Sequence, residues 1–400
     1  MLTAGIVFAL TYLVVALGGF PGLRVDRTGA AVVGAAATVA LGVLSPEEAY
    51  RSVDLATLVL LFGTMVVVGH LRLAGFFRWA GVVVARHVRT PFALLAGLIV
   101  CAGVLSAVFV NDTVCLALTP LVIELAFSLG VRATPYLVAL ATASNIGSVA
   151  TLTGNPQNML IGVASGLSYA GFFVSLLPVA MTGLALCFGV VALVYRRDLV
   201  LGFATSPKPR VKIHGFLMAK GLAASVVMLA FFFAGANLAI VALSAGAALL
   251  LTRRVKPEKV FLEVNWSLLT LFAGLFVVIG GARASGLTEA AFRLLHAHEV
   301  HGVWAFTILT AVLSNLVSNV PAVMLLAPLV PSLPDPNRVW HVLAMASTLA
   351  GNLTLVGSMA NLIVAEEARK RAPLGFSEYL KVGVPLTLLT LGVGVLLLSR

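Results

Sequence analysis

Two stretches of the chain decide its fold: residues 144–158 read SNIGSVATLTGNPQN, and residues 347–361 read STLAGNLTLVGSMAN. Each lies inside an apolar run that would otherwise form one long helix. Proline has no amide donor and clashes with the preceding helical turn, so Gly154-Asn155-Pro156 interrupts the first run. The second stretch repeats the same pattern of Gly and Asn at an offset of 203. The sequence therefore predicts two broken helices related by an internal repeat.

The composition is that of a membrane protein. Apolar residues make up 60% of the 400 residues and charged residues 10%, whereas soluble domains average about 45–50% apolar and about 25% charged. The formal net charge of +11 comes from Lys and Arg residues in loops between apolar runs. Nucleic-acid binding requires such residues to gather on a soluble face. We therefore expect the lipid bilayer, and no nucleic acid, as a partner.

Ten apolar runs are long enough to span the membrane, because about 20 helical residues cross about 30 Å of hydrocarbon. They lie near residues 3–20, 28–44, 53–71, 136–164, 173–195, 216–234, 236–252, 264–282, 339–365 and 378–398. The sequence predicts a multi-pass protein of the cell inner (plasma) membrane.

Two further apolar runs, 92–124 and 303–332, carry polar residues at their centres. The first reads SAVFVNDTVCLALTP over residues 106–120, and the second reads SNLVSNVPAVMLLAP over residues 314–328, an offset of 208. Unpaired backbone inside lipid is costly and is tolerated where it is packed in protein or lines a polar cavity. We predict two re-entrant helical hairpins whose tips lie beside a transport pathway.

The repeat defines the organisation of the chain. Residues 1–195 form a first repeat with five spans and hairpin 92–124, and residues 216–400 form a second with five spans and hairpin 303–332. The basic segment 196–215 is the predicted cytoplasmic linker, because cytoplasmic loops are enriched in Lys and Arg. The predicted fold class is an all-α membrane protein of two inverted-topology repeats, typical of secondary transporters.

Polar side chains at the helix breaks and hairpin tips are the candidate substrate- or ion-binding residues. An isolated Ser or Thr in a membrane helix more often joins neighbouring helices by a hydrogen bond, but clustering at symmetric breaks favours binding. The candidates are Asn111, Asp112, Thr113, Asn145, Thr151, Asn155, Asn158, Asn315, Ser318, Asn319, Asn352, Thr354, Ser358 and Asn361. Catalytic residues and metal ligands are not predicted.

Asp112 is the one acidic residue deep within a predicted membrane segment. An unpaired charge there costs at least about 2.5 kcal/mol, so we predict that Asp112 carries a proton or binds a cation. The alternative is a structural role, in which its carboxylate caps the helix or forms a hydrogen bond that holds the hairpin tip closed.

SNIGSVATLTGNPQNMLIG (144–162), NDTVCLALTP (111–120) and GNLTLVGSMANLIVAEEA (351–368) are similar to signatures of the ion-transporter superfamily. That superfamily contains arsenite/antimonite efflux permeases, NhaD-type Na+/H+ antiporters, citrate permeases and divalent-anion/sodium symporters. Asn111-Asp112 followed by Thr119-Pro120 most resembles the arsenite permeases, although Gly-Asn-Pro-Gln-Asn replaces the Gly-Asp-Pro-Pro-Asn common in relatives.

The resemblance implies a secondary active transporter of a small anion or metalloid oxyacid, and specifically proton-coupled efflux of arsenite or antimonite. A Na+-coupled oxyanion or carboxylate carrier and a Na+/H+ antiporter are the alternatives. We expect no cofactor, with H+ or Na+ as the coupling ion. The resemblance also allows a homodimer and a separate ATPase subunit. Nucleophile, zinc and phosphate-loop motifs of enzymes are absent from the sequence.

Overall fold

The computed structural model describes residues 1–19, 24–200, 203, 212–290, 293 and 302–399. Within these ranges the chain is built of helices and contains no β-strand. The first half comprises α1 Leu2–Leu17, α2 Arg27–Ala40, α3 Pro46–Ser52, α4 Leu55–Leu73, α5 Phe76–His87, α6 Pro91–Val108, α7 Asn111–Leu129, α8 Thr134–Ser148, α9 Pro156–Ser165, α10 Tyr169–Val194 and α11 Arg196–Val200. The second comprises α12 Gly215–Phe233, α13 Leu238–Leu250, α14 Pro257–Phe261, α15 Trp266–Ala284, α16 Val303–Val317, α17 Asn319–Leu326, a 3-10 helix Ala327–Ser332, α18 Pro336–Ala350, α19 Met359–Ala368 and α20 Phe376–Leu398.

The predicted all-α membrane class is confirmed. Among the described residues, seven helices are long and apolar enough to cross a membrane: α4, α6, α7, α10, α12, α15 and α20. Helices α1, α13 and α16 are shorter but apolar. The predicted runs 136–164 and 339–365 are each divided into two helices, α8 with α9 and α18 with α19.

Equivalent residues, which differ by 211 in number in this part of the repeat, begin and end equivalent helices. Asp54 caps α4 by accepting a hydrogen bond from the Thr57 amide (3.1 Å), and Asn265 caps α15 by accepting one from the Leu268 amide (3.0 Å). Gly75 follows α4 with φ of 82°, and Gly286 follows α15 with φ of 78°. Both helices of the first predicted hairpin, α6 and α7, are long enough to cross a membrane, so the re-entrant form of that hairpin stays a prediction.

Four short helices, α3, α5, α11 and α14, were not predicted, because they are too short to produce a membrane-spanning apolar run. They connect the spans near the ends of the bundle. The first is stabilised by a capping box, in which Ser45 and Glu48 exchange side-chain and backbone hydrogen bonds. Those hydrogen bonds lower the pKa of the exposed Glu48 carboxyl. Half of the predicted linker 196–215 lies outside the described residues, so the division into domains there stays a prediction.

The two halves interlock through crossed helices. Helix α2 packs on α15, and α13 packs on α4. Each crossing contains a glycine: a Cβ at Gly274 would lie 2.8 Å from the carbonyl carbon and oxygen of Ala31, and one at Gly63 would meet the backbone of Ala242. Small residues let membrane helices approach closely where burial itself supplies little attraction. Between the halves lies α8, in which every residue from Pro135 to Ser148 is buried.

Gly274→Ala should destabilise the protein. The added methyl group would overlap the Ala31 backbone, and overpacking of this kind costs about 1–3 kcal/mol. We expect a lower midpoint of thermal unfolding in detergent. Gly189→Ala in α10 is the matched control, because nothing lies within 4 Å of its Cβ position and alanine favours helix by about 0.5–1 kcal/mol. Equal midpoints for the two variants would contradict the close crossing.

Candidate functional site

The two broken helices have the same construction. Helix α8 ends at Ser148 and α9 begins at Pro156, whereas α18 ends at Ala350 and α19 begins at Met359. Asn155 caps α9 by accepting a hydrogen bond from the Asn158 amide (2.8 Å). Ser358 caps α19 in the same way through the Asn361 amide (3.2 Å). The residues between the helices leave their backbone carbonyls without helical partners.

An asparagine side chain closes each break. Asn158 Nδ2 donates to the carbonyl oxygens of Ser148 (3.1 Å) and Thr151 (2.9 Å). Asn361 Nδ2 donates to the equivalent carbonyls of Gly351 (2.8 Å) and Thr354 (3.1 Å). All three pairs of positions are related by the offset of 203 seen in the sequence. These amides satisfy carbonyls that the interrupted helices release.

The first hairpin tip docks on the break of its own repeat. The Asn111 backbone amide donates to the carbonyl oxygen of Gly154 (3.0 Å), and Asn111 Nδ2 donates to Asn145 Oδ1 (2.9 Å). Thr151 Oγ1 donates to the Ala107 carbonyl oxygen (2.5 Å). The tip is therefore buried against the centre of α8 and α9.

The second hairpin tip likewise contacts the break of the second repeat through hydrogen bonds. Asn315 Nδ2 donates to the carbonyl oxygen of Ala350 (2.9 Å). In the amide orientation that satisfies its neighbours, Asn319 Nδ2 donates to the Gly357 carbonyl oxygen (3.1 Å). Gly357 is the repeat equivalent of Gly154. Each hairpin tip thus covers the carbonyl of the glycine that precedes the second half of its broken helix.

Asn145 joins the two repeats at the centre of the molecule. Its Oδ1 accepts from Asn111, and its Nδ2 lies 2.8 Å from Asn352 Oδ1, 2.9 Å from Ser358 Oγ and 3.1 Å from Asn361 Oδ1. The Asn145 side chain is fully buried. One amide therefore connects the first hairpin tip, the first broken helix and the second broken helix.

A second connection between the two broken helices involves Thr348 and Gln157, which were not among the predicted residues. Thr348 Oγ1 accepts from Asn155 Nδ2 (3.3 Å) and from Gln157 Nε2 (3.2 Å). Thr348 is the repeat equivalent of Asn145, so the offset of 203 was the signal that could have identified it. The central positions of the two broken helices thus contact the opposite repeat through unlike side chains.

Asp112 faces a cavity of about 470 Å³, which we call the tip cavity. Asp112 lies in the first turn of α7, where a helix N-terminus favours negative charge, and no described Lys or Arg forms an ion pair with it. The cavity is also lined by Asp26 and Arg27. Asp26 caps α2 by accepting from the Gly29 amide (2.8 Å). The α7 N-cap residue, Val110, has no side-chain capping hydrogen bond, and the choice between a transport role and a structural role for Asp112 stays a prediction.

Ser318 forms the tip of the second hairpin with an unusual backbone conformation. Its φ of 77° and ψ of 160° lie in a region that is essentially restricted to glycine. It also lines the tip cavity. Conformations of this kind cost about 1–3 kcal/mol and cluster at functional sites.

The structure brings most of the predicted residues together at the breaks and tips. Thr113 and Thr354 are partly buried, and within the described part of the chain their hydroxyl groups enter none of the hydrogen bonds above. The residues at the site that the prediction omitted include Arg27, Gln157 and Thr348. Whether the fourteen predicted residues bind a solute or ion stays a prediction.

Paired hairpins and broken helices around a polar centre define a secondary transporter with inverted repeats. Residues 12–350 match the family of citrate transporters, and the chain belongs to that family. It is a multi-pass plasma-membrane transporter and not an enzyme.

The chain is 31% identical over 470 residues to the silicon efflux transporter LSI3 of Oryza sativa subsp. japonica, covering 99% of this chain and 97% of that protein. A Dictyostelium discoideum protein that carries the transporter name arsB is 27% identical, covering 93% and 87%. The crystal structure of the YdaH transporter from Alcanivorax borkumensis superposes with a TM-score of 0.60 at 16% identity, covering 100% of this chain and 96% of that one. The last comparison confirms the fold.

Asn145→Ala should destabilise the centre of the protein. It removes one acceptor and one donor group from a fully buried network, and each buried group left unpaired costs about 1–3 kcal/mol. Thermal unfolding in detergent should show a large drop in midpoint. Asn237→Ala is the control: that side chain caps α13 at an exposed position, and losing such a cap costs about 1 kcal/mol. A smaller drop for Asn145→Ala than for Asn237→Ala would contradict the central role of Asn145.

Ser318→Gly and Ser318→Ala should distinguish the effect of backbone strain on stability from the effect of losing the hydroxyl group. Glycine adopts the observed conformation freely, so Ser318→Gly should raise the unfolding midpoint, by the equivalent of about 1 kcal/mol. Ser318→Ala keeps the Cβ and the strain, so its midpoint should not rise. If both variants were stabilised equally, the strain assigned to this tip would be wrong.

Proposed function

We propose that this transporter exports a small uncharged oxyacid, arsenous or antimonous acid, in exchange for protons, and that Asp112 carries the proton. The observation that carries this proposal is the position of Asp112: a carboxylate at a hairpin tip, lining the tip cavity and without an ion-pair partner among the described residues. A carboxyl group in such a place is stable when protonated, because an unpaired charge within the membrane costs several kcal/mol.

The chemistry of the central site supports a neutral solute. The side chains at the breaks and tips are amides and hydroxyls, which both donate and accept hydrogen bonds. Arsenous and silicic acids are uncharged near neutral pH and present hydroxyl groups alone. The names of two relatives, a silicon efflux transporter and an arsB transporter, support the same class of solute.

The hydrogen bonds at Asn145 favour H+ over Na+ as the coupling ion. A sodium site requires several oxygen atoms to converge on one point. The oxygens of Asn352, Ser358 and Asn361 do converge, but the Asn145 amide nitrogen already lies among them at 2.8–3.1 Å. Proton coupling requires a single titratable group, which Asp112 supplies.

Exchange follows from alternating access to Asp112. When the tip cavity faces the side of higher proton concentration, the carboxylate takes up a proton and the solute leaves; when it faces the other side, the proton leaves and the solute enters. Each proton carried this way moves one positive charge, because the solute itself is neutral. Export is then driven by both the pH gradient and the membrane potential.

A Na+-coupled carrier of oxyanions or carboxylates is the second candidate. Arg27 lines the same cavity as Asp112, and a guanidinium binds carboxylates and oxyanions well. The description of the family as citrate transporters supports this class of substrate. Na+/H+ antiport at Asp112 is the third candidate.

Asp112→Asn should abolish proton-driven arsenite transport. We would reconstitute the protein in liposomes, impose a pH gradient, and follow arsenite by mass spectrometry. Asparagine keeps the size of the side chain but cannot exchange a proton, so accumulation should fall to the level of empty liposomes. Parallel assays would offer antimonite, silicic acid, and citrate with Na+.

Glu124→Gln is the matched control, because Glu124 lies on the same helix, is exposed and pairs with Arg78 away from the cavity. It should transport arsenite like the wild type. Accumulation by Asp112→Asn equal to wild type would reject Asp112 as the proton carrier. Uptake of citrate that requires Na+, without arsenite flux, would replace the proposal with the second candidate.

A further inference from the structure

Two cavities open along one pair of helices. The tip cavity is lined near the N-terminal ends of α15 and α17, by Leu271 and Pro321 among others. A second cavity of about 660 Å³, which we call the distal cavity, is lined farther along the same helices, by Phe276 and Met324 among others. The groove between α15 and α17 is therefore open at both ends.

A thin layer separates the cavities. Leu271 and Phe276 are five positions apart on α15, which is about 7.5 Å at a helical rise of about 1.5 Å per residue. Pro321 and Met324 are three positions apart on α17, or about 4.5 Å. The hydrocarbon of a bilayer is about 30 Å thick. The closed part of this groove is thus a small fraction of the distance that a solute must cross.

The layer is apolar and its ends are polar. Phe272 follows the tip-cavity residue Leu268 by four positions, and Leu275 precedes the distal-cavity residue Ile279 by four, so both lie on the cavity-lining face of α15. Val323 stands between Pro321 and Met324 on α17. Phe272, Leu275 and Val323 are all fully buried. Asp112, Arg27 and Ser318 line the tip cavity, whereas the distal cavity is lined by the charged residues Glu48, Arg51, Asp54 and Arg283. An apolar constriction between wet cavities blocks water and polar solutes.

We propose that the solute crosses this protein between α15 and α17, and that Phe272, Leu275 and Val323 form the barrier that closes the path in this conformation. The proposal deepens the proposed function by naming the route, and it does not depend on which solute is carried. It also assigns Asp112 a position at one end of the barrier, where a proton and a solute entering from the tip cavity would meet.

The first repeat supplies controls for this barrier. The repeat equivalents of Phe272, Leu275 and Val323 are Leu61, Thr64 and Cys115, which are also fully buried. They line neither the tip cavity nor the distal cavity. Leu61 and Leu275 are leucines of equal burial, so replacing either with alanine removes the same atoms from the core.

Single cysteines would map the route without any substrate. The three native cysteines, Cys101, Cys115 and Cys187, are replaced with serine, and Leu268→Cys, Phe272→Cys or Ile279→Cys is introduced. A small charged methanethiosulfonate is then applied to either side of membrane vesicles. Leu268 lines the tip cavity and Ile279 the distal cavity. We expect these two cysteines to react from opposite sides of the membrane, and the cysteine at 272 to react at least about tenfold more slowly than both, because buried apolar positions exclude the charged reagent.

Leu275→Ala should thin the barrier. Combined with Leu268→Cys, it should make the cysteine reactive from the second side as well, whereas Leu61→Ala should leave the reaction one-sided. Reaction of Leu268→Cys and Ile279→Cys from the same side, or identical labelling with Leu275→Ala and Leu61→Ala, would overturn the proposed route. Absence of arsenite transport would refute the proposed solute and leave this result unchanged, so the two failures are distinguishable.

Discussion

The structure depends on one constraint: backbone groups released inside a membrane must find partners within the protein. Interrupting α8 and α18 leaves carbonyls at Ser148, Thr151, Gly351 and Thr354 without helical donors. The side chains of Asn158 and Asn361 satisfy all four. Because each asparagine lies on the helix that follows the break, it also holds the two half-helices together. The polar side chains at the centre of this protein are therefore required by the helix breaks, because the carbonyl groups at the breaks need hydrogen-bond donors within the membrane.

Docking the hairpins extends the same principle. Their tips would expose backbone amides and polar side chains to lipid if they did not pack against the breaks, and Asn111 and Asn319 make those contacts. Movement of a tip would thus expose groups that its broken helix now covers.

The two repeats share their broken helices but differ in chemistry. Asn145 corresponds to Thr348, and Asp112 corresponds to Val320, which lines the same cavity. A proton carrier at both positions would place two carboxyl groups beside one cavity, where like charges oppose each other's ionisation. The difference between the repeats therefore leaves one carboxyl group, that of Asp112, at the two hairpin tips. The other carboxyl group that lines the tip cavity, Asp26, caps α2.

Hydropathy, the Gly-Asn-Pro break and the offsets of 203, 208 and 211 predicted the all-α membrane class, the two broken helices and most of the residues that meet at the breaks. The predicted spans 3–20, 28–44 and 236–252 correspond to α1, α2 and α13, which are shorter than the seven helices long enough to cross a membrane. These features are local, because helix length in lipid and helix interruption at proline depend on neighbouring residues. Tertiary structure alone decided which amides meet. Asn145 contacts Asn352 and Ser358 more than 200 positions away, and Arg27 reaches the cavity of Asp112 from another helix. Such contacts depend on how helices cross, and that is determined by the packing of the whole bundle.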